Sequence, residues 1–429
     1  MNYQDTIAFL FEQTPAFQQK GASAYKPGLD NTRQLDTYFN HPHTSFQTIH
    51  VGGTNGKGSS SHTLAAILQQ AGYRVGLYTS PHLADFRERI RVDGEMIEES
   101  YVVDFVASHF AHVKHIQPSF FELTMMMAFD YFRHRQVDIA LIEVGLGGRL
   151  DSTNIIDPIV SIITNISLDH TQFLGSDLVS IAREKAGIIK PHTPVVIGEL
   201  HPYTAPVFQA IAAQQHAPIY FAQEDLNGFH VNTDESGNWV YNTAHLQNIP
   251  AQLAGECQPL NAATILLSVE LLKQSGLAIP DEAIRQGFAH VCDLTGLCGR
   301  WQITQNKPLV VADTAHNKAG VELVVKQLKR TAKNKMHLIL GFANDKDITA
   351  ILALYPKDAA FYFTQASVNR ALKVTDLQAI GHSLHIEAII TPDVPTAYAL
   401  ARSNAHDDDL IFIGGSNFVV ADFLAHIRK

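Results

Sequence analysis

Cysteine is scarce: Cys257, Cys292 and Cys298 are the only three in 429 residues, and they form no CxxC spacing. An odd, unpatterned set excludes a disulfide framework and a zinc ribbon, and it fits a reducing compartment such as the cytoplasm. Basic charge is also in deficit, with 32 Lys and Arg against 42 Asp and Glu, a formal net charge of −10. That balance argues against a general nucleic-acid binder, because affinity for a phosphate backbone comes from clustered cations. Long apolar runs are missing too. No stretch reaches the roughly 20 residues that span a bilayer, and the opening segment MNYQDTIAFLFEQTPAFQQKG has no basic flank leading into an apolar core. Neither export nor membrane insertion is expected, and there is no repeat or low-complexity tract.

What is present is a globular balance, 46% hydrophobic and 17% charged, in a chain too long for one core. Ile7, Leu10 and Phe11 space a first helix, after which Pro27-Gly28 opens a loop over Ala24 to Thr32. Apolar runs of strand length follow at Thr48–Val51, Val75–Tyr78, Ile139–Val144, Ile159–Ile163 and Val195–Ile197. Helical patterns separate them, with Leu64, Ile67 and Leu68 on one face of the first and others around 120–133 and 176–187. This alternation predicts a mostly parallel sheet covered by helices on both faces. From about 225 to 249 the pattern turns polar and alternating, an antiparallel hairpin with Ser236-Gly237 at its turn. A second alternating series has strands at Leu309–Ala312, His337–Leu340, Phe361–Phe363, Glu387–Ile390 and Leu410–Ile413. Two α/β domains are therefore expected, 1–296 and 297–429, hinged over Leu294–Arg300 where Gly296 and Gly299 loosen the backbone.

The strongest local signal is VGGTNGKGS at 51–59, a glycine cluster between a strand and a helix. Such a turn aims backbone N–H groups at phosphate oxygens, with Lys57 as the countercharge, so Gly53, Thr54, Asn55, Gly56, Lys57, Gly58 and Ser59 are candidate nucleotide ligands. It departs from the ordinary P-loop at Val51, where a first glycine stands, and at Gly58, where a metal-binding hydroxyl usually follows the lysine. The plainer reading, a tight turn with a surface lysine, does not account for four glycines between a buried strand and an amphipathic helix. Glu143 ends the run Ile139–Ile142, which delivers a carboxylate to the C-terminal edge of a parallel strand, where such sheets bind ligands and where Mg²⁺ finds oxygen donors. A strand-end glutamate paired with an arginine is its bland alternative.

GTNGKGS, with YTSPHL at 78–83, EVGLGGRLDSTN at 143–154, SLDH at 167–170, REKAGI at 183–188, GR at 299–300 and DTAHN at 313–317, resembles folylpolyglutamate and dihydrofolate synthases of the Mur ligase superfamily. The likeness runs in order along nearly the whole chain. It implies a P-loop ATPase-like first domain binding ATP and the pteroate or folate, and a smaller Rossmann-like second domain. Ser80 and Glu143 would share one Mg²⁺ and His170 would hold a second. Lys185, which composition alone marks as a solvated lysine, matches a lysine that is carbamylated in the family. Arg300 is assigned to the phosphates, and Asn261, Asp313 and His316 to ATP. Catalytic roles fall to Lys57, His170, Lys185 and Arg300. The loop AYKPGLDNT resembles the folate-facing N-terminal loop, and SFFE at 119–122 the segment that receives the pterin. Ser119, Phe120, Phe121, Glu122, Leu150, Asp151 and Ser152 are thus the candidate substrate residues, with Phe121 to stack on the heterocycle and Asp151 to hydrogen-bond it. Core packing competes for the two phenylalanines, and one of them is expected in the core on either reading. Lys318 after DTAHN and Cys257 are departures from the family pattern.

The implied reaction is ATP-dependent coupling of L-glutamate to dihydropteroate, or to tetrahydrofolate and its polyglutamates, by a monomer with two Mg²⁺ ions. Competing expectations are a folylpolyglutamate synthase alone, a P-loop kinase or ATPase, and a nucleotide-binding module without catalysis. A muramyl-peptide ligase would need a further domain before the loop, for which only about one helix and a loop of chain are at hand.

Overall fold

The computed structural model describes residues 1–14, 28–344 and 346–428. Residues 24–27 of the folate-facing loop expected over Ala24 to Thr32 lie outside the described residues, and Asp30 to Thr32 open the helix Asp30–Tyr38 instead of continuing a loop. The chain divides into two compact units, one of Met1–Leu253 with Cys257–Leu297, the other of Ala254–Glu256 with Cys298–Lys429.

The first unit is built on an eight-stranded sheet of order β4-β3-β2-β5-β1-β6-β7-β8. Its strands are β1 Gln47–Gly52, β2 Val75–Tyr78, β3 Ile90–Val92, β4 Glu95–Met96, β5 Ile139–Glu143, β6 Val160–Ile163, β7 Val195–Ile197 and β8 Ile219–Phe221. From β2 to β8 every neighbouring pair is parallel, whereas β3 and β4 fold back antiparallel on the β2 edge. Central strands are buried on both faces, which is why they read as unbroken apolar runs. A separate three-stranded antiparallel sheet, β9 His230–Thr233, β10 Trp239–Asn242 and β11 Ile249–Pro250, occupies the expected hairpin region.

One face of the large sheet, with Ile49, Val51, Leu141 and Ile162, packs on helices Lys57–Gln70, Gln258–Gln274 and Asp281–Ala289. The opposite face is covered by helices Tyr3–Gln13, Glu99–Val113 and Phe120–His134 on the β2–β5 side. Helices Leu178–Ala186 and Ala205–Gln214 cover it on the β6–β8 side. The helix after the glycine loop is not amphipathic, contrary to the spacing of its leucines. Every residue from Ser59 to Leu68 is buried, because sheet and helices enclose it on all sides. Small Ser and Ala side chains permit that approach.

The second unit has strands β12 Gln302–Asn306, β13 Leu309–Ala312, β14 Met336–Leu340, β15 Ala360–Phe363, β16 Ala388–Ile390 and β17 Leu410–Gly414, in the order β12-β13-β17-β14-β15-β16. All pairs are parallel except β12 with β13. No described helix is long and apolar enough to cross a membrane.

Candidate active site

Strands β2, β5, β1 and β6 lie side by side and end at the same edge. The connection from β1 leads toward β2 and the connection from β5 toward β6, so adjacent strands send their chains in opposite directions. A crevice at the carboxyl ends of such strands is where open parallel sheets bind ligands.

The glycine loop leaves β1 into this crevice. Gly56 takes φ +86° and Gly53 φ +137°, conformations that disfavour a side chain. A Cβ on Gly53 would stand 1.9 Å from Thr164 Oγ1, and one on Gly56 would stand 2.3 Å from Asn261 Oδ1. The loop is fixed by the segment that follows β6. Asn55 N donates to Asn165 Oδ1 at 2.9 Å, Thr54 N to the Asn165 carbonyl at 2.9 Å, and Thr164 Oγ1 to the Asn55 carbonyl at 2.6 Å. Ser167 N donates to Thr54 Oγ1 at 3.0 Å. The helix then starts at Lys57 with Gly56 as its cap, and no side chain caps it. Its first N–H groups have no intrahelical acceptor, and the helix dipole adds partial positive charge at that end. Asn261 is tied to Gln258, and Gln258 Nε2 reaches Ser59 Oγ at 3.5 Å.

Two amines converge on one carbonyl. Lys57 Nζ donates to Gly53 O at 2.9 Å and to Thr54 O at 3.0 Å, and Lys185 Nζ donates to the same Gly53 O at 2.7 Å. Lys185 lies in the last turn of the nine-residue helix Leu178–Ala186, capped by Asp177, and is buried, so it is no solvated surface lysine. Burial first, and the Lys57 charge second, bring its amine down to about 7. Glu143 is buried at the end of β5, paired in register with Val51 of β1, and its Oε2 accepts from Ser80 N at 2.9 Å. His170 follows the same β6 exit, with φ +49° and its N–H on Asp169 Oδ1 at 2.8 Å.

Among the described residues no three His, Cys, Asp or Glu side chains converge as a metal cage. Oxygen donors such as Glu143 and Ser80 suit Mg²⁺, which takes one or two carboxylates and completes its shell with phosphate oxygens and water. That chemistry fits the donor set.

Of the substrate candidates, Ser119 and Glu122 form a reciprocal cap on helix Phe120–His134, with Ser119 N on Glu122 Oε2 at 2.7 Å and Glu122 N on Ser119 Oγ at 3.2 Å. Phe120 is buried, stacked on Phe11 at 4.6 Å between ring centres, with the Arg89 guanidinium 5.4 Å from its ring. Phe121 is half-buried beside Tyr78. A Cβ on Gly145 would lie 2.6 Å from the Phe121 ring and 3.2 Å from Asp151 Oδ2, so Phe121, Gly145 and Asp151 are one cluster. Asp151 is buried and accepts from Leu146 N at 2.8 Å and Thr153 N at 2.9 Å. Burial raises its carboxyl above the usual range, against those donors. Leu150 and Ser152 flank it, half-buried.

In the second unit, Asp313 follows β13 and accepts from Trp301 N at 2.7 Å and Ala315 N at 2.8 Å. Burial raises its carboxyl as well. Arg300 donates to Thr314 Oγ1, and His316 Nδ1 lies 2.9 Å from the Thr314 carbonyl. Thr164, Asn165 and Ser167, which pin the glycine loop, were not among the expected site residues. Their signal was the polar run TNIS directly after an apolar strand.

Residues 51–269 match the Mur ligase middle domain, and residues 299–417 match the Mur ligase glutamate ligase domain. The dihydrofolate synthase/folylpolyglutamate synthase of Escherichia coli (strain K12) is 36% identical over 374 residues, covering 86% of this chain and 84% of that one. The chain belongs to the dihydrofolate synthase/folylpolyglutamate synthase family of Mur ligases. A Haloferax volcanii protein named "Probable bifunctional folylpolyglutamate synthase/dihydropteroate synthase" is 32% identical over 437 residues. That alignment covers 98% of this chain and 50% of the relative, so this Mur ligase spans about half the relative's length. A structure of a bifunctional folylpolyglutamate synthase/dihydrofolate synthase from Yersinia pestis, complexed with AMPPNP and Mn ion, superposes with a TM-score of 0.85 at 31% identity, covering 100% of this chain and 98% of that one.

Lys185 gives this Mur ligase a pH signature. A free lysine titrates near ~10.4, and the buried one at about 7. Between those values the unfolded chain binds more protons, so stability rises with pH across that window, and below it the full cost of burying the charge is present. Lys185→Met, which removes the cost, should have a higher thermal midpoint than the wild type at pH ~6 in carbonate-free buffer, and the gap should close as pH approaches ~10. A gap that does not change with pH contradicts a depressed amine at this position.

Proposed function

We propose that the protein is an ADP-forming ligase that adds L-glutamate to dihydropteroate, and to the glutamate tail of reduced folates such as tetrahydrofolate, through an acyl phosphate. The observation that supports this most is the convergence of Lys57 and Lys185 on the Gly53 carbonyl, in a crevice whose next strand ends in Glu143. Positive charge, helix-start N–H groups without a side-chain cap and a carboxylate at one strand edge suit a metal triphosphate. A kinase or a simple ATPase leaves the second unit, which matches a glutamate ligase domain, without a task. We further take the enzyme to be a cytoplasmic monomer acting on small molecules, without nucleic-acid or membrane partners.

Joining a carboxylate to an amine in water is uphill, so the carboxylate is activated first. A carboxylate oxygen of the folyl or pteroyl substrate attacks the γ-phosphorus of ATP, and the bond to the β,γ-bridging oxygen breaks, releasing ADP. The N–H groups at the start of the helix, Lys57 to Ser59, with the Lys57 amine and Arg300, stabilise charge on the phosphoryl oxygens. Two Mg²⁺ ions, with Ser80, Glu143, His170 and a carbamylated Lys185 as their protein ligands, would supply further positive charge there. The deprotonated α-amine of glutamate then attacks the acyl carbon, and the tetrahedral intermediate expels phosphate. Asn261, Asp313 and His316 serve ATP, while Phe121 and Asp151 face the pterin, with Ser119, Phe120, Glu122, Leu150 and Ser152 forming the surrounding wall.

Carbamylation of Lys185 is chemically reasonable at its site. An amine titrating at about 7 is substantially neutral at neutral pH, and only the neutral amine adds to CO₂. The product is an anion that relieves repulsion with Lys57. Isotope-labelled bicarbonate should give one carbamate carbon resonance in the wild type and none in Lys185→Met; a resonance that persists in the variant places the modification elsewhere.

The function is tested by phosphate release with Mg-ATP and glutamate, run in parallel with dihydropteroate and with tetrahydrofolate. Release should require both glutamate and the pterin substrate in each arm, and Glu143→Gln should lower kcat roughly a hundred-fold. Activity with tetrahydrofolate alone reduces the reading to a folylpolyglutamate synthase, and release independent of glutamate overturns it.

A further inference from the structure

Ile49 and Val51 of β1 face the helix Lys57–Gln70, so His50 between them turns to the opposite face of the sheet. It is fully buried, with Ile142 of β5 and Ser161 of β6 as its register partners on either side. Burial, with a smaller contribution from the Lys190 charge, brings the imidazole down to about 3, so the ring is neutral across the working pH range. Its Nε2 lies 2.9 Å from Thr153 Oγ1. Among the described residues its Nδ1 has no hydrogen-bond partner.

The direction of this contact is set by its neighbours. Thr153 Oγ1 donates to Asp151 Oδ1, the oxygen that also accepts from Thr153 N at 2.9 Å. A hydroxyl has a single proton, and an ionised carboxylate can only accept. With that proton committed to Asp151, the hydroxyl lone pair accepts from His50 Nε2–H, which fixes the tautomer. A chain of donors therefore runs from the middle of β1 through Thr153 to Asp151. A buried polar ring with one nitrogen unpartnered is destabilising, and an aliphatic side chain between Ile142 and Ser161 would avoid that cost. The helix-side neighbours Ile49 and Val51 show that β1 otherwise uses such residues.

We propose that His50 is a positioning residue for the heterocyclic end of the acid substrate: its Nε2–H holds the Thr153 hydroxyl on Asp151 and so orients the carboxylate beside Gly145 and the Phe121 ring. A carboxylate in that orientation accepts from the amino and ring N–H donors along one edge of a 2-amino-4-oxo-pteridine. This inference rests on the reading that Asp151 contacts the pterin. Without the histidine donor the hydroxyl is free to rotate, and Asp151 loses a hydrogen bond that helps keep a buried carboxylate in place.

The test is steady-state kinetics of the full chain with His50→Leu, His50→Gln, Thr153→Val and Asp151→Ala. His50→Leu and Thr153→Val should each raise KM for dihydropteroate roughly ten-fold, with kcat within about two-fold and KM for ATP unchanged. The double variant His50→Leu/Thr153→Val should be no worse than either single change, because both break one chain. His50→Gln, whose side-chain amide nitrogen stands near the Nε2 position, should restore most of the affinity. An unchanged KM for dihydropteroate in His50→Leu overturns the inference, as does a KM for ATP that rises in step, which marks a general defect of folding. Asp151→Ala separates the two levels. If it weakens pterin binding while His50→Leu does not, only the relay falls; if it leaves pterin binding intact, the contact assigned to Asp151 falls with it.

Discussion

The glycine loop after β1 is held by the strand beside it. Asn55 N on Asn165 Oδ1 at 2.9 Å and Thr164 Oγ1 on the Asn55 carbonyl at 2.6 Å fasten the loop to the exit of β6. The N–H groups at the start of helix Lys57–Gln70 have no side-chain cap. Phosphate recognition by backbone groups depends on that fixed geometry, since amides free to reorient gain little from binding an anion. The Gly53 carbonyl gathers Lys57 and Lys185. One short turn thus arranges both the backbone donors and the two amines.

The sheet explains why the remaining groups arrive at the same edge. Glu143 closes β5 next to Val51, Ser80 follows β2, and the TNIS segment follows β6, all at strand ends that parallel topology aligns. The crowded packing around the loop has the same origin. Gly53 and Gly56 stand where any side chain would collide with Thr164 or Asn261, so the loop is shaped by contact as well as by conformational preference. Burial then tunes the titratable groups: it lowers the Lys185 amine and the His50 imidazole and raises the Asp151 carboxyl, each away from its charged form.

Much of this was readable in the sequence because parallel strands buried on both faces leave uninterrupted apolar runs, as in Ile139–Ile142 and Leu410–Ile413. The strands that went unread lie at or beside sheet edges: β3 and β4 at one end of the large sheet, β8 at the other, and β12 at the end of the second. β3 and β4 join through Asp93-Gly94, both at positive φ, and the dipeptide DG between Ile90–Val92 and Glu95–Met96 was a hairpin signal available in the sequence. β12 alternates Gln302, Thr304 and Asn306 with exposed Ile303, a pattern that a solvated edge shares with a loop. At the site, glycine spacing and a strand-end carboxylate carried physical information on their own. Lys185 did not, because nothing local distinguishes a lysine that will be buried against Gly53 from one in solvent. His50 was equally hidden: its hydrogen-bond partner, Thr153, is 103 residues away.

The central claim, that this loop presents a triphosphate to an acid and transfers its terminal phosphoryl group, is tested most directly by following oxygen. With a pterin substrate whose reacting carboxylate contains heavy oxygen, one labelled atom per turnover should appear in the released inorganic phosphate, because the attacking oxygen leaves with phosphorus. Phosphate free of label, with both labelled atoms accounted for in the pterin product or in water, would contradict it.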